Sequence, residues 1–249
     1  MFIHNLDPVL LTIFGLEVRY YGLIYVISFI IAYFLLKKLS KENDLNLKVD
    51  DFLFYVVIGA IIGARLFYVI FYNFSYFWAN PVEIVILWRG GLSFHGGLVG
   101  AVIAGLIYSK VKKINFWKLA DISVIPLAIG LFLGRIGNFI NGELYGRITN
   151  VPWAVKFPNA EGYRHPSQIY ESLKNLFIFF ILWFNRKSKH KAGFNFALFM
   201  LLYSVLRFII EFFRAPDQNI GFICGLTMGQ LLNIPLFLIS LYLLIKKIK

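Results

Sequence analysis

Arg135 and Asn138 stand three residues apart in the stretch 134–146, Gly-Arg-Ile-Gly-Asn-Phe-Ile-Asn-Gly-Glu-Leu-Tyr-Gly. On a helix that spacing puts both side chains on one face. The stretch closes a run of roughly 20 mostly apolar residues beginning near Leu119, so the guanidinium lies within or just beneath a lipid boundary. An arginine at that depth costs about 2.5–3.5 kcal/mol on insertion scales and more in simulations. A chain keeps one only where a carboxylate neutralises it or a wet, anion-binding cavity meets it, and both readings stand. Gly134, Gly137, Gly142 and Gly146 let backbone approach whatever is bound there. A second pair, Arg207 and Glu211, is four apart in another apolar run and again shares a face. Guanidinium groups in a low dielectric suit a phosphate, which they bind bidentately. His95, in the glycine-rich run 90–97 (Gly-Gly-Leu-Ser-Phe-His-Gly-Gly), is the near-neutral titrating group and the candidate general base. The competing reading is a histidine that braces a glycine-rich turn.

The elements that must position these groups follow from composition. The chain has 249 residues, 59% hydrophobic, 18% aromatic and 15% charged, with mean hydropathy +0.71. A soluble domain of this length needs far more polar surface. The expected fold is an all-α polytopic membrane protein of seven transmembrane helices, at 20–36, 52–72, 92–108, 119–140, 168–184, 194–213 and 226–245. The run 82–88 is too short to span and reads as interfacial or re-entrant. The net charge of +12 does not point to nucleic acid, because the basic residues fall in short connections. One side holds Lys37, Lys38, Lys41, Lys48, Lys110, Lys112, Lys113, Lys118, Arg186, Lys187, Lys189, Lys191, Lys246, Lys247 and Lys249. The other holds Arg19, Arg89, Arg147, Lys156, Arg164 and Arg214. This asymmetry puts the N-terminus outside and the C-terminus in the cytoplasm. Residues 141–166 then form a small extracytoplasmic cap, and 1–249 a single integral-membrane domain.

Other features are quieter. Gly59 and Gly63 form a GxxxG pair suited to close helix packing, and Pro126 and Pro235 are expected to kink their helices. Residues 1–17 lack a basic cluster and a cleavage site, and read as mature protein. Cys224 is the single cysteine and is expected to be a small buried apolar residue with no chemical role. The four histidines show no metal-ligand spacing, so no metal and no cofactor are expected.

With orientation assigned, depth follows at 1.5 Å per residue. Arg65, Arg135 and Arg207 fall about 20–24 Å above the cytoplasmic ends of their spans. Tyr21 and His95 lie near the outer ends of theirs, and Gln168 and Glu171 open the fifth. Polar groups thus gather in the outer half of a core about 30 Å thick, with Asp121 and Lys174 deeper. Glu211 would orient Arg207. A phosphate-binding site facing the outer leaflet has a phospholipid headgroup as its obvious ligand.

The residues also carry a resemblance. The stretch 134–146 looks like the signature of bacterial prolipoprotein diacylglyceryl transferases. The likeness extends through Tyr20-Tyr-Gly-Leu, Ser-Phe-His-Gly-Gly at 93–97, His-Pro-Ser-Gln-Ile-Tyr-Glu at 165–171, Arg-Phe-Ile-Ile-Glu-Phe-Phe-Arg at 207–214 and Met-Gly-Gln at 228–230. The resemblance implies transfer of a diacylglyceryl group from phosphatidylglycerol to the lipobox cysteine of a prolipoprotein, giving a thioether and glycerol 1-phosphate. It implies a multi-pass protein of the bacterial plasma (inner) membrane whose active site faces the extracytoplasmic leaflet, with membrane lipid and prolipoproteins as partners. The family's important residues fall on Tyr21, His95, Arg135, Asn138, Glu143, Gly146, Arg207 and Glu211; Glu143 and Gly146 come from the resemblance alone. The rival function is a membrane transporter with an outward-facing anionic-substrate site, disfavoured because polar groups stop in one leaflet and no inverted repeat is visible. A non-catalytic receptor or assembly factor gives no reason for a glycine-lined arginine cluster with a histidine. Oligomeric state, acyl-chain preference and lipoprotein preference leave no mark in the sequence.

Overall fold

Eight α-helices dominate the described residues: α1 (Tyr20–Glu42), α2 (Val49–Tyr72), α3 (Phe74–Ala79), α4 (Phe94–Val111), α5 (Phe116–Ile140), α6 (Ser167–Asn185), α7 (Phe194–Ile210) and α8 (Met228–Ile248). The computed structural model describes residues 1–158, 160–215, 222–223 and 225–248, with backbone alone at 94, 222, 223, 247 and 248; Cys224 lies outside the described residues. Each of the seven expected apolar runs is helical over most of its length. Helices α1, α2, α5 and α8 are long and apolar enough to cross a membrane, and α4 and α7 are shorter apolar helices. Helix α6 differs for a physical reason. Gln168, Glu171, Ser172, Lys174 and Asn175 form a buried polar face, while Leu173, Phe177 and Phe180 are exposed. Its polar residues lie on the buried face together with Ile178 and Leu182, and the exposed face is apolar. Helices α5 and α8 continue through Pro126 and Pro235.

Short strands supplement the helices: β1 (Phe2–Ile3) pairs in parallel with β4 (Val155–Lys156), β2 (Val9–Ile13) forms a hairpin with β3 (Leu16–Arg19), and β5 (Phe222–Ile223) pairs with β6 (Leu226–Thr227). These were not expected, because two- to five-residue runs carry too little period-2 signal.

The chain divides into two compact units, one made of Met1–Leu36 with Ala120–Lys249 and the other of Lys37–Leu119. In the second unit α2 and α4 touch through glycine. A Cβ on Gly63 would overlap the Gly96 carbonyl and lie 2.8 Å from Gly100 Cα, and one on Gly100 would overlap the Gly59 carbonyl. The GxxxG pair of α2 thus meets a matching Gly96/Gly100 pair on α4, which lets the two backbones touch.

Arg65 departs from its expected role in an anion cluster. Its guanidinium donates to the carbonyls of Glu83 (2.6 Å), Ile84 (2.9 Å), Ile86 (3.1 Å), Gly90 (2.7 Å) and Gly91 (2.9 Å). It is buried at 5% exposure. Residues 81–89 form two 3-10 turns, Pro81–Val85 and Leu87–Arg89, and Arg65 satisfies the main-chain oxygens that so irregular a segment leaves open. The partners of Arg65 are therefore backbone oxygens and not an anion.

In the first unit Asp121 also has a structural partner. Its carboxylate accepts from Gly193 N (2.6 Å) and Phe196 N (2.9 Å), so a residue of α5 caps the N-terminus of α7, whose own N-cap is glycine. Ser172 Oγ donates to Phe132 O at 3.1 Å, fastening α6 to α5.

Candidate active site

Helix α6 contributes Glu171 and Lys174, α7 contributes Arg207 with Glu211 at its C-terminal cap, and α5 contributes Arg135 and Asn138. Spacings of three and four put each pair on a single helical face. Glu171, only 2% exposed, is the hub. It accepts from Lys174 Nζ at 2.7 Å and from Arg207 Nη1, and Arg135 Nε stands 4.0 Å away. Arg207 Nη2 lies 2.7 Å from Glu211 Oε2, an ion contact whose angle does not make a hydrogen bond. The Lys174 ammonium also sits 3.9 Å above the Tyr203 ring. Lys174 therefore belongs to this cluster and not to a deeper layer.

The two arginines are held very differently. Both ends of the Arg207 fork engage carboxylates, so the neutralised reading describes it. Among the described residues Arg135 has only a 3.5 Å contact from Nη1 to Asn138 Oδ1 and the distant Glu171, and its side chain is 21% exposed. It is the guanidinium with donors to offer. Asn138 turns its amide nitrogen the other way, to Glu143 Oε1 at 2.8 Å, so it relays between Arg135 and Glu143. Tyr21 packs against this face of α5. A Cβ on Gly137 would lie 2.7 Å from the Tyr21 ring, and Tyr21 Oη is 3.1 Å from Tyr25 Oη.

Beyond α5 the chain reverses at Gly142 (φ 67°) and Leu144 (φ 58°), and the loop is tied down by Gln168 Nε2 to Glu143 O (2.6 Å) and Ser167 Oγ to Leu144 O (3.0 Å). Gly146 is then squeezed between two strands of loop. Its N–H donates to His165 O at 2.8 Å, it bridges Arg214, and a Cβ there would overlap Phe213 O and fall 2.7 Å from His165 Cβ. Only glycine fits. Arg147 closes the same corner, with its N–H on Phe213 O and its Nε on Arg214 O, both 2.9 Å. Helix α7 stops at Ile210, three residues short of the expected limit, and the carbonyls of Phe213 and Arg214 beyond it accept from the loop.

Trp153 Nε1 donates to Tyr170 Oη at 2.7 Å, and that hydroxyl lies 3.0 Å from His165 Nδ1. Burial holds the His165 imidazole below its ordinary value. Burial, reinforced by Arg207 and opposed by Glu211, likewise lowers Arg214.

The structure thus gathers Tyr21, Arg135, Asn138, Glu143, Gly146, Arg207 and Glu211 in one unit. His95 belongs to the other, in the first turn of α4 after the Ser93 cap, whose Oγ accepts from Gly96 N at 3.4 Å; its side chain is exposed. Sequence reasoning counted Glu171 among the polar groups but did not see it as the hub, and it missed Gly229 and Arg214. The Glu171/Lys174 spacing within a polar α6 face was the available signal for the first. Gly229 leaves room for Glu211, whose Cδ and Oε1 would be 2.8 Å from a Cβ there.

Known proteins share this sequence along most of its length. The profile of the prolipoprotein diacylglyceryl transferase family matches residues 8–246. A phosphatidylglycerol–prolipoprotein diacylglyceryl transferase of Geobacter sulfurreducens is 46% identical over 243 residues, covering 95% of this chain and 94% of that protein. The enzymes of the same name from Desulfotalea psychrophila (44% over 250 residues; 96% and 92% covered) and Pasteurella multocida (44% over 242 residues; 94% and 89% covered) are similarly alike. A match of this length and identity, over a chain whose helices bring the motif residues of α5, α6 and α7 into one buried cluster, places the protein in the prolipoprotein diacylglyceryl transferase family.

Proposed function

We propose that this protein is a transferase that moves the diacylglyceryl group of phosphatidylglycerol onto the lipobox cysteine of prolipoproteins. The observation that carries the reading is its 46% identity, over 95% of the chain, to a protein of that name, joined to a loosely held guanidinium, Arg135, beside a saturated charge cluster. The cysteine thiolate of the prolipoprotein attacks the glyceryl carbon and a carbon–sulfur bond forms. The carbon–oxygen bond to phosphate breaks and its electron pair stays on the phosphate oxygen, so glycerol 1-phosphate leaves. A thiol with pKa near 8.5 must first lose its proton, a task assigned to His95. Arg135 binds the phosphate and holds it more tightly as charge grows, which is transition-state stabilisation. Arg207 serves through its charge and through the Glu171–Arg207–Glu211 ladder that fixes it; Asn138 and Glu143 orient Arg135, Gly146 keeps the loop closed, and Tyr21 lines the α5 face. The chemistry requires no metal and no cofactor.

The protein sits in the bacterial plasma (inner) membrane with seven spans, its N-terminus and the 141–166 cap outside and its C-terminus inside. The charge asymmetry of the connections supports this, and the outward apolar face of α6 supports counting it as a span. A reporter after Lys249 is expected in the cytoplasm and one within 141–158 outside; the reverse assignment overturns the orientation.

The deciding experiment incubates the purified protein with phosphatidylglycerol and a lipobox peptide. Thioether-linked peptide and glycerol 1-phosphate should appear together, and Arg135→Lys should lower turnover at least tenfold, about 1.4 kcal/mol of barrier. Absence of both products from the folded wild-type protein, or lipid translocation in their place, would return the reading to a transporter.

A further inference from the structure

The corner beside Gly146 holds a cation that the charge cluster does not use. Arg214 lies just beyond α7. Its backbone is fixed by the bridge to Gly146 and by the bond from Arg147 Nε to its carbonyl. Its side chain is half-buried, yet among the described residues the guanidinium makes no hydrogen bond or ion pair. It nonetheless lies in the field of the cluster, repelled by Arg207 and Arg135 and attracted by Glu211 and Glu171. Those two carboxylates are already engaged, Glu171 by Lys174 and Arg207, Glu211 by Arg207. Glu143 is occupied by Asn138 and Asn141. A guanidinium that is partly desolvated and has no hydrogen-bond partner among the described residues is unfavourable unless an anion completes it.

The transfer reaction supplies such an anion. The phosphodiester of phosphatidylglycerol carries one negative charge. When the carbon–oxygen bond breaks, the electron pair left on oxygen makes a monoester, which carries about 1.5 to 2 negative charges near neutral pH. Arg135 suffices for the first charge, and the second needs another cation with free donors. We propose that Arg214 is that cation: it binds the phosphate of the departing glycerol 1-phosphate, and engages it more strongly than it engages the lipid diester. The inference rests on the transferase reading above.

The test uses the purified full-length enzyme with phosphatidylglycerol and a lipobox peptide, with glycerol 1-phosphate as product inhibitor. Arg214→Gln should raise the inhibition constant for glycerol 1-phosphate at least tenfold and lower kcat, while KM for phosphatidylglycerol changes less than threefold. Arg214→Lys should recover part of the loss, since it restores charge without the fork. An unchanged inhibition constant in an enzyme with wild-type thermal stability overturns the proposal. So does an equal rise in KM and inhibition constant, because Arg214 would then serve the diester as much as the product. Should the variants fail to fold, arginine-selective dicarbonyl labelling of the wild-type enzyme replaces them. Glycerol 1-phosphate should protect Arg214, and labelling that proceeds equally with and without it overturns the assignment. An inactive wild-type enzyme would instead refute the transferase reading, so the two failures are distinct.

Discussion

Replacing Glu171 by glutamine removes the one negative charge shared by Lys174 and Arg207 while keeping size and one acceptor. Arg207 retains Glu211 at 2.7 Å. Among the described residues Lys174 retains only the face of Tyr203, and it is 5% exposed. Removing one partner of a buried ion pair costs about 3–5 kcal/mol. Glu171→Gln should therefore destabilise the fold by about 3–5 kcal/mol. Adding Lys174→Met removes the stranded ammonium and fills its space with an apolar chain of similar length, and should restore most of the loss. Equilibrium unfolding by denaturant titration in mixed micelles, run on wild type, both single variants and the double variant, gives the coupling energy directly. A Glu171→Gln protein within about 1 kcal/mol of wild type, or a double variant no more stable than the single, would refute the view of Glu171 as the hub.

Arg65→Lys leaves at most three donors for five carbonyls; amide exchange across 83–91 should accelerate, and unchanged protection there would contradict the cradle. Gly100→Ala drives a methyl into the Gly59 carbonyl and should cost about 1–3 kcal/mol, whereas Gly105→Ala, whose nearest neighbour is 4.0 Å away, should be neutral or stabilising. Equal effects at the two sites would refute the glycine contact. Burial keeps His165 neutral to lower pH than an exposed imidazole; such a base stabilises the fold above its unfolded value near 6.5 and loses that contribution as pH falls. Fluorescence of Trp153, coupled to His165 through Tyr170, should titrate with a midpoint below about 6.5, and a midpoint above that would reverse the sign.

The helices were readable because apolar length is a property of each segment alone. The sites at their ends were only half readable. Counting residues from a membrane boundary gives height along a helix, and of the groups picked out that way Arg135, Arg207 and Glu171 do meet in one cluster. It does not say what stands opposite. Arg65 was grouped with the other arginines but faces main-chain oxygens, and Asp121 looked like a buried charge until α7 brought two unpaired amides to it. Which arginine is engaged and which is open depends on where Glu171 and Glu211 point, and that is settled by the packing of α6, α7 and α8. Gly229 was invisible for the same reason, since the Glu211 carboxylate it leaves room for is far away in sequence; Gly146 came from the resemblance, and the close approach of Phe213 and His165 that requires it appears only in the fold. Cys224 lies outside the described residues and its expected inertness stands as a proposal.

The Arg65 cradle has an implication for how this surface changes over time. Its five bonds end on backbone oxygens, which every amino acid possesses, so the anchor is blind to the identity of the side chains it holds. Gly91 is the exception, because a methyl there would strike the guanidinium at 2.7 Å. Val82, Val85 and Trp88, each more than 70% exposed, are therefore exchangeable as far as Arg65 is concerned. One conserved-chemistry contact underneath lets the outer face be rewritten to suit a different lipid environment without the segment losing its shape.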